Sequence, residues 1–341
     1  MSSSPPLTLT RAQTETWTTI RQDLVTSVLA LWLIVGLFID GWAHRNLDGM
    51  ETFFTPWHAV FYSGFAVTAT WMAYLVRTLA GVPVGYRQGM IGVGAFAVGG
   101  VADLIWHSVF GVESSLDALL SPTHLLLLAG ILLILTSPIR SGWHRPTARA
   151  TPWSQILPPV LAMTLVVSVL QFFFLYASGW TSGIPGVPYS PGQDEMLPSY
   201  GILEIMISTA IMFGGVLTLL KRYRPPPGSL ILMFGIVGIL MSALDEFSWP
   251  WEILQMVAAG AAADFLVARL DPDPDAAPHR FRLFGLSTPI AVWSIRFTAF
   301  SVFRPSLGWP PELWGGAIVF AGLLGWGLAS VMTLPRSPAR A

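Results

Sequence analysis

Residues 24–44 read LVTSVLALWLIVGLFIDGWAH, an uncharged stretch from Leu24 to Ile39 that runs directly into Asp40 and His44. About twenty such residues cross the roughly 30 Å hydrocarbon core of a bilayer as an α-helix. Asp40 and His44, four positions apart at the end of that helix, share one of its faces. Working outward, the run at 22–40 is followed by comparable ones at 57–79, 89–108, 122–138, 157–177, 198–220, 229–247, 250–270, 285–303 and 312–334. The fold class expected is therefore all-α: a polytopic integral membrane helix bundle of about ten spans.

Composition agrees. The chain has 341 residues, 53% hydrophobic and only 11% charged, with a mean hydropathy of +0.61, whereas soluble domains carry about a quarter charged residues. A formal net charge of −1 gives no basic surface for nucleic acid. The absence of cysteine excludes disulfides, thiolate zinc or iron–sulfur sites and CxxCH haem attachment, so a metal must be held by His, Asp, Glu, Asn, Met or Tyr. Residues 1–21 lack the apolar core and cleavage site of a secretory signal and read as a cytoplasmic tail. Residues 22–138 then form a four-helix half, and 139–341 form six further helices with a short tail.

An even number of spans puts both termini on one side. Of the 18 Lys and Arg residues, 15 fall in the tails or even-numbered connections, leaving Arg45 and Arg304 opposite and Arg296 inside a span. The positive-inside rule makes both termini cytoplasmic, in a multi-pass plasma-membrane protein. The outer side carries Trp42, Trp57, Trp106, Trp180, Trp249, Trp251, Trp309 and Trp314 as an expected interfacial belt.

The chemistry-bearing pattern is a duplication. Asp40-Gly-Trp-Ala-His44 is followed by Glu51-Thr-Phe-Phe-Thr-Pro56-Trp-His58. Asp103-Leu-Ile-Trp-His107 is followed by Asp117-Ala-Leu-Leu-Ser-Pro122-Thr-His124. Both read D-x3-H, loop, acid-x4-P-x-H, an internal repeat in which Pro fixes where each second histidine enters its helix. A lone histidine at a helix end is ordinarily a hydrogen-bonded interfacial residue. Four of the chain's 6 histidines on one side, each set carrying acids at matching offsets, point to a metal centre, since ionisable groups at membrane depth are costly and functional. A proton relay built from the same groups is the other reading. Asp40 and Asp103 are ligands or orient the imidazoles; Glu51 and Asp117 are expected in the loops or behind the ligands. Fainter copies place Asp245, Glu246 and Glu252 in an acidic outer pocket.

Two charges lie deeper. Glu204 and Arg296 are each about two turns, roughly 10 Å, from the outer boundary. Either alone costs about 2.5 to 3.5 kcal/mol on the insertion scale, so an ion pair between them is expected. Asp264, near the inner end of its helix, is expected to face cytoplasmic water.

At these residues the sequence resembles the C subunit of the copper-containing membrane monooxygenases, the particulate methane and ammonia monooxygenases. That subunit carries a D-x3-H helix end and an acid-Thr-x-Phe-Thr-Pro-x-His entry, matched by Asp40, His44 and Glu51 through His58. Its second set is N-x3-H with a Pro-x-His entry, to which Asp103, His107, Pro122 and His124 correspond, with Asp in place of Asn. The resemblance covers roughly residues 35–130. It implies two neighbouring copper sites, Asp40/His44/His58 and Asp103/His107/His124, near the extracytoplasmic face. It also implies partner subunits and an electron donor.

The function expected is a copper-binding membrane protein, a monooxygenase or a component of one, acting on a small apolar substrate, its site shielded by Trp42, Trp57 and Trp106. Imidazole suits zinc and iron as well; only the resemblance selects copper. A metal carrier or insertion factor and a zinc-dependent membrane hydrolase with Glu51 as base are the alternatives. Substrate, donor and oligomeric state are not legible.

Overall fold

Hydroxyl caps and prolines fix where the first helices start. Thr19 accepts from the Gln22 N–H while the Gln22 side chain accepts from the Thr19 N–H, a closed capping box. Thr55 and Ser121 cap in the same way, each followed by Pro in the first turn. The computed structural model describes residues 15–47, 53–111, 116–146, 148–190, 192, 195–304 and 306–334. The expected cytoplasmic tail falls largely outside these.

The helices are α1 (Ile20–Asn46), α2 (Pro56–Thr78), α3 (Arg87–Phe110), the short α4 (Leu116–Leu120), α5 (Pro122–His144), α6 (Trp153–Phe173), α7 (Met196–Arg222), α8 (Ser229–Ala243), α9 (Trp251–Leu270), α10 (Pro278–Phe303) and α11 (Pro311–Met332). Among the described residues there is no strand, only two isolated bridges. Nine helices among the described residues are long and apolar enough to cross a bilayer, and the chain is a polytopic membrane helix bundle.

The seventh of the ten expected spans, 229–247, is shortened. α8 has 15 residues, about 22 Å at 1.5 Å per residue. It ends because Glu246 and Phe247 adopt left-handed backbone conformations, which helices of L-residues do not continue through. Its start is held by Asp264 of α9, expected at cytoplasmic water but largely buried: its carboxylate accepts from the N–H groups of Gly228, Leu230 and Ile231.

α6 is the most enclosed long helix and touches α1, α5, α7 and α8. Around it the helices pair: α1 with α2, α3 with α5, α8 with α9, α10 with α11. Small residues allow this closeness, as is usual where lipid supplies no hydrophobic drive for helix association. A Cβ on Gly64 would lie 2.6 Å from the Leu33 Cα, and one on Gly130 would lie 2.8 Å from the Phe96 backbone nitrogen.

At the end where α1 and α3 begin and α5 finishes, Asp23 is buried among four donors. Thr18 and Tyr86 donate to one oxygen at 2.7 and 2.8 Å, Ser141 and Arg145 to the other, both at 2.9 Å. The opposite end, where α1 and α3 finish and α2 and α5 begin, carries all four motif histidines. Three of the tryptophans expected in an interfacial belt, Trp180, Trp251 and Trp309, are instead buried in the bundle. Trp180 stacks on Trp293 at 4.4 Å.

Gly64→Val is expected to lower stability by about 1 to 3 kcal/mol through overpacking, read as a fall in the detergent melting temperature. Gly94→Val, where an added Cβ meets nothing within 4 Å, is expected to leave it nearly unchanged.

Candidate metal centre

α1 runs on to Asn46, so Asp40 and His44 both sit on its last turns with their side chains on one face. His44 Nε2 lies 3.8 Å and His58 Nε2 3.7 Å from the same oxygen, Asp40 Oδ2. On the second hairpin, His107 Nε2 lies 3.5 Å and His124 Nε2 3.1 Å from Asp103 Oδ1. The first three separations exceed a hydrogen bond. They match the spacing of ligand atoms around one ion, since bonds of about 2.0 to 2.2 Å keep any two ligands within roughly 4.4 Å. Asp40, His44 and His58 offer atoms all within 4.8 Å of one another, and so do His58, Asp103 and His107. His58 thus joins the two hairpins, its ring centroid 5.5 Å from that of His44 and 6.1 Å from that of His107.

The residues preceding each proline do double work. The Thr55 hydroxyl accepts from the His58 N–H and lies 2.9 Å from His58 Nδ1. Ser121 repeats this for His124, with Nδ1 at 2.8 Å. The helix cap therefore also fixes the ring, leaving Nε2 toward the acids. His107 Nδ1 lies 3.1 Å from the Gly111 carbonyl, which can only accept, so Nδ1 carries the proton and the Nε2 lone pair points inward.

The two acids differ. Asp103 accepts from Tyr62 at 3.2 Å and from Thr123 at 3.0 Å. Asp40 is buried, and its Oδ1 has no hydrogen-bond partner among the described residues. A buried acceptor left unmatched is costly, and a cation bound by this carboxylate would remove that cost. The chemistry of the donor set, carboxylate and imidazole only, fits copper, zinc or iron.

Asp40, His44, His58, Asp103 and His124 form one wall of a cavity of about 320 Å³. Leu37, Phe61, Leu127, Ile131, Phe172 and Phe173 supply apolar walls. The ring against His58 is Phe53, stacked at 5.0 Å; Trp42 and Trp57 pack edge-on against each other, and Trp106 packs on Phe110.

The remaining candidates lie elsewhere. Glu51 falls outside the described residues. Asp117 is exposed on α4, where it accepts from the Ala118 N–H. An acidic pocket does not form from Asp245, Glu246 and Glu252: Asp245 pairs with Arg45 at 2.8 Å, Glu246 is exposed in the turn after α8, and Glu252 faces two arginines. The expected Glu204–Arg296 pair is replaced. Arg296 lies 3.6 Å from Glu252 and donates to the Ser182 carbonyl, while Glu204 is bonded by the Ser182 side chain. Similar depth along two helices did not place them on facing sides.

Sequence reading passed over Thr55, Ser121, Tyr62 and Thr123. The first two were legible as a hydroxyl residue immediately before Pro-x-His, and Tyr62 as the residue four after His58; Thr123 and Phe53 needed the packing. No family model, curated protein or solved structure matches the chain, so the site's geometry carries the functional argument.

Thr55→Val and Ser121→Ala are expected to weaken metal binding by about 10- to 100-fold, as loss of a ligand's hydrogen-bonded support does, measured by chelator competition on folded protein.

Proposed function

We propose that this membrane-spanning helical protein binds copper through Asp40, His44, His58, Asp103, His107 and His124, and acts as a monooxygenase, or a component of one, on a small apolar molecule. The observation carrying this reading is that two Asp/His groups, joined at His58, lie at a cavity whose other lining is mostly apolar, with Arg45 and Tyr176. Copper is selected over zinc and iron by the motif resemblance. Bound copper would supply one-electron redox chemistry and activation of O₂.

The chain's own residues do the rest. Thr55, Ser121 and the Gly111 carbonyl hold three imidazoles with Nε2 inward. Tyr62 and Thr123 donate to Asp103 and orient it. Leu127, Ile131, Phe172 and Phe173 exclude water and give an apolar molecule its place beside the site. The concentration of Lys and Arg at the Asp23 end supports, by the positive-inside rule, an extracytoplasmic metal centre, where an electron donor or partner subunits would reach it.

A carrier is less well supported. Between the site and the Asp23 cluster the interior includes Leu33, Ile34, Phe96, Ile131 and Ile134, and the described residues there show no further group of His, Asp or Glu to pass an ion along. A hydrolase needs a base beside an open metal position, a role for which sequence offered Glu51.

Metal analysis and EPR on protein in lipid nanodiscs test the reading. His44→Ala and His124→Ala are each expected to lose the copper of their own set, and His58→Ala to deplete both. Zinc at unit occupancy without a copper signal, or hydrolytic turnover without reductant, would overturn it.

A further inference from the structure

A second polar centre lies where α9 begins and α10 ends, apart from the histidines. Glu252 Oε1 stands 3.6 Å from Arg296 and 3.8 Å from Arg304, both beyond hydrogen-bond length. Arg296 packs over the Trp251 ring at 4.8 Å and Arg304 over Trp249 at 3.7 Å. Beside the acid lies a small cavity of about 10 Å³ lined by Trp180, Ser242, Glu252, Gln255, Met241 and Met256.

Four atoms of those lining residues are buried with no hydrogen-bond partner among the described residues: Glu252 Oε1, both Gln255 Oε1 and Nε2, and Trp180 Nε1. Gln255 is 4% exposed, Glu252 5% and Trp180 3%. Buried donors and acceptors left unmatched in such number are costly.

The chemistry of the unmatched atoms selects the occupant. Glu252 Oε1 and Gln255 Oε1 only accept, whereas Gln255 Nε2 and Trp180 Nε1 only donate. An anion would satisfy the donors and face the carboxylate. A cation would satisfy the acceptors and face two guanidinium groups and two N–H donors. Water both donates and accepts, and about 10 to 15 Å³ is the space one molecule needs.

We propose that this cavity is a binding site for one internal water, which donates to Glu252 and accepts from Gln255 or Trp180. The site is independent of the metal reading. It completes the solvation of a carboxylate oxygen that lies 3.6 and 3.8 Å from its arginines, and it ties α9 to the segment carrying Trp180. Gln255 is thereby a water ligand in an apolar helix, which accounts for a buried amide that bonds to no other side chain.

X-ray radiolytic labelling of the full chain in lipid nanodiscs reads this directly, because hydroxyl radicals form at bound water and oxidise its neighbours. Met241 and Met256 line the cavity and are 2% exposed; Met212 and Met233 are 0% exposed and are not among its lining residues. The expected result is several-fold faster oxidation of Met241 and Met256, falling to the rate of Met212 in Gln255→Leu. Equal rates for the four methionines, or rates unchanged by Gln255→Leu, would overturn the proposal. Should Gln255→Leu fail to fold, Trp180→Phe keeps the stack on Trp293 and removes one donor; slower labelling then supports the site and unchanged labelling refutes it.

Discussion

A carboxylate inside a bilayer-spanning bundle has no bulk water to turn to, so each one must find its donors within the protein. The buried acids here meet that constraint to different degrees. Asp23 has four donors, from Thr18, Tyr86, Ser141 and Arg145. Asp264 takes three backbone N–H groups at the start of α8. Glu252 faces two arginines, and Asp103 has Tyr62 and Thr123. Asp40 has imidazoles instead: they are its nearest basic groups, held slightly too far for hydrogen bonds, and its Oδ1 has no hydrogen-bond partner among the described residues. With imidazoles from both hairpins gathered around Asp40, that residual demand for positive charge is the physical reason for reading a cation site.

The duplicated hairpins make two similar but unequal halves. Each brings an acid and a histidine from the end of one helix toward a histidine at the start of the next. Each uses the capping hydroxyl before proline to fix the entering ring. They diverge in the acid: Asp103 is tied into a hydrogen-bonded network and Asp40 is left open. His58, shared between the two groups, makes them one centre with two unlike sides. The apolar cavity lies along this centre, so chemistry at the metal would take place beside hydrocarbon-like surface.

The two ends of the bundle divide the work. The end with Asp23 is closed by satisfied polar contacts linking α1, α3 and α5, which are the helices that present Asp40, Asp103 and His124 at the other end. Fixing one end leaves the other free to be shaped by the ligands, and close glycine contacts along α1–α2 and α3–α5 keep the helices near enough for imidazoles from different hairpins to share neighbours.

The sequence by itself determined the membrane class, the helix-by-helix layout and the six motif residues, because hydrophobic run length and i, i+4 spacing are local properties of a helix. It also held the Thr/Ser-Pro-x-His cap in plain view. It did not determine which partner each buried charge would face. Arg296 pairs with Glu252 and not with Glu204, Asp264 caps a neighbouring helix, three tryptophans turn inward, and α8 stops short at a left-handed turn. All of these depend on helix rotation and on contacts between segments far apart in the chain, which depth along a helix does not encode. Only tertiary packing decided that His58 lies between both hairpins, since that depends on how closely α2 approaches α3.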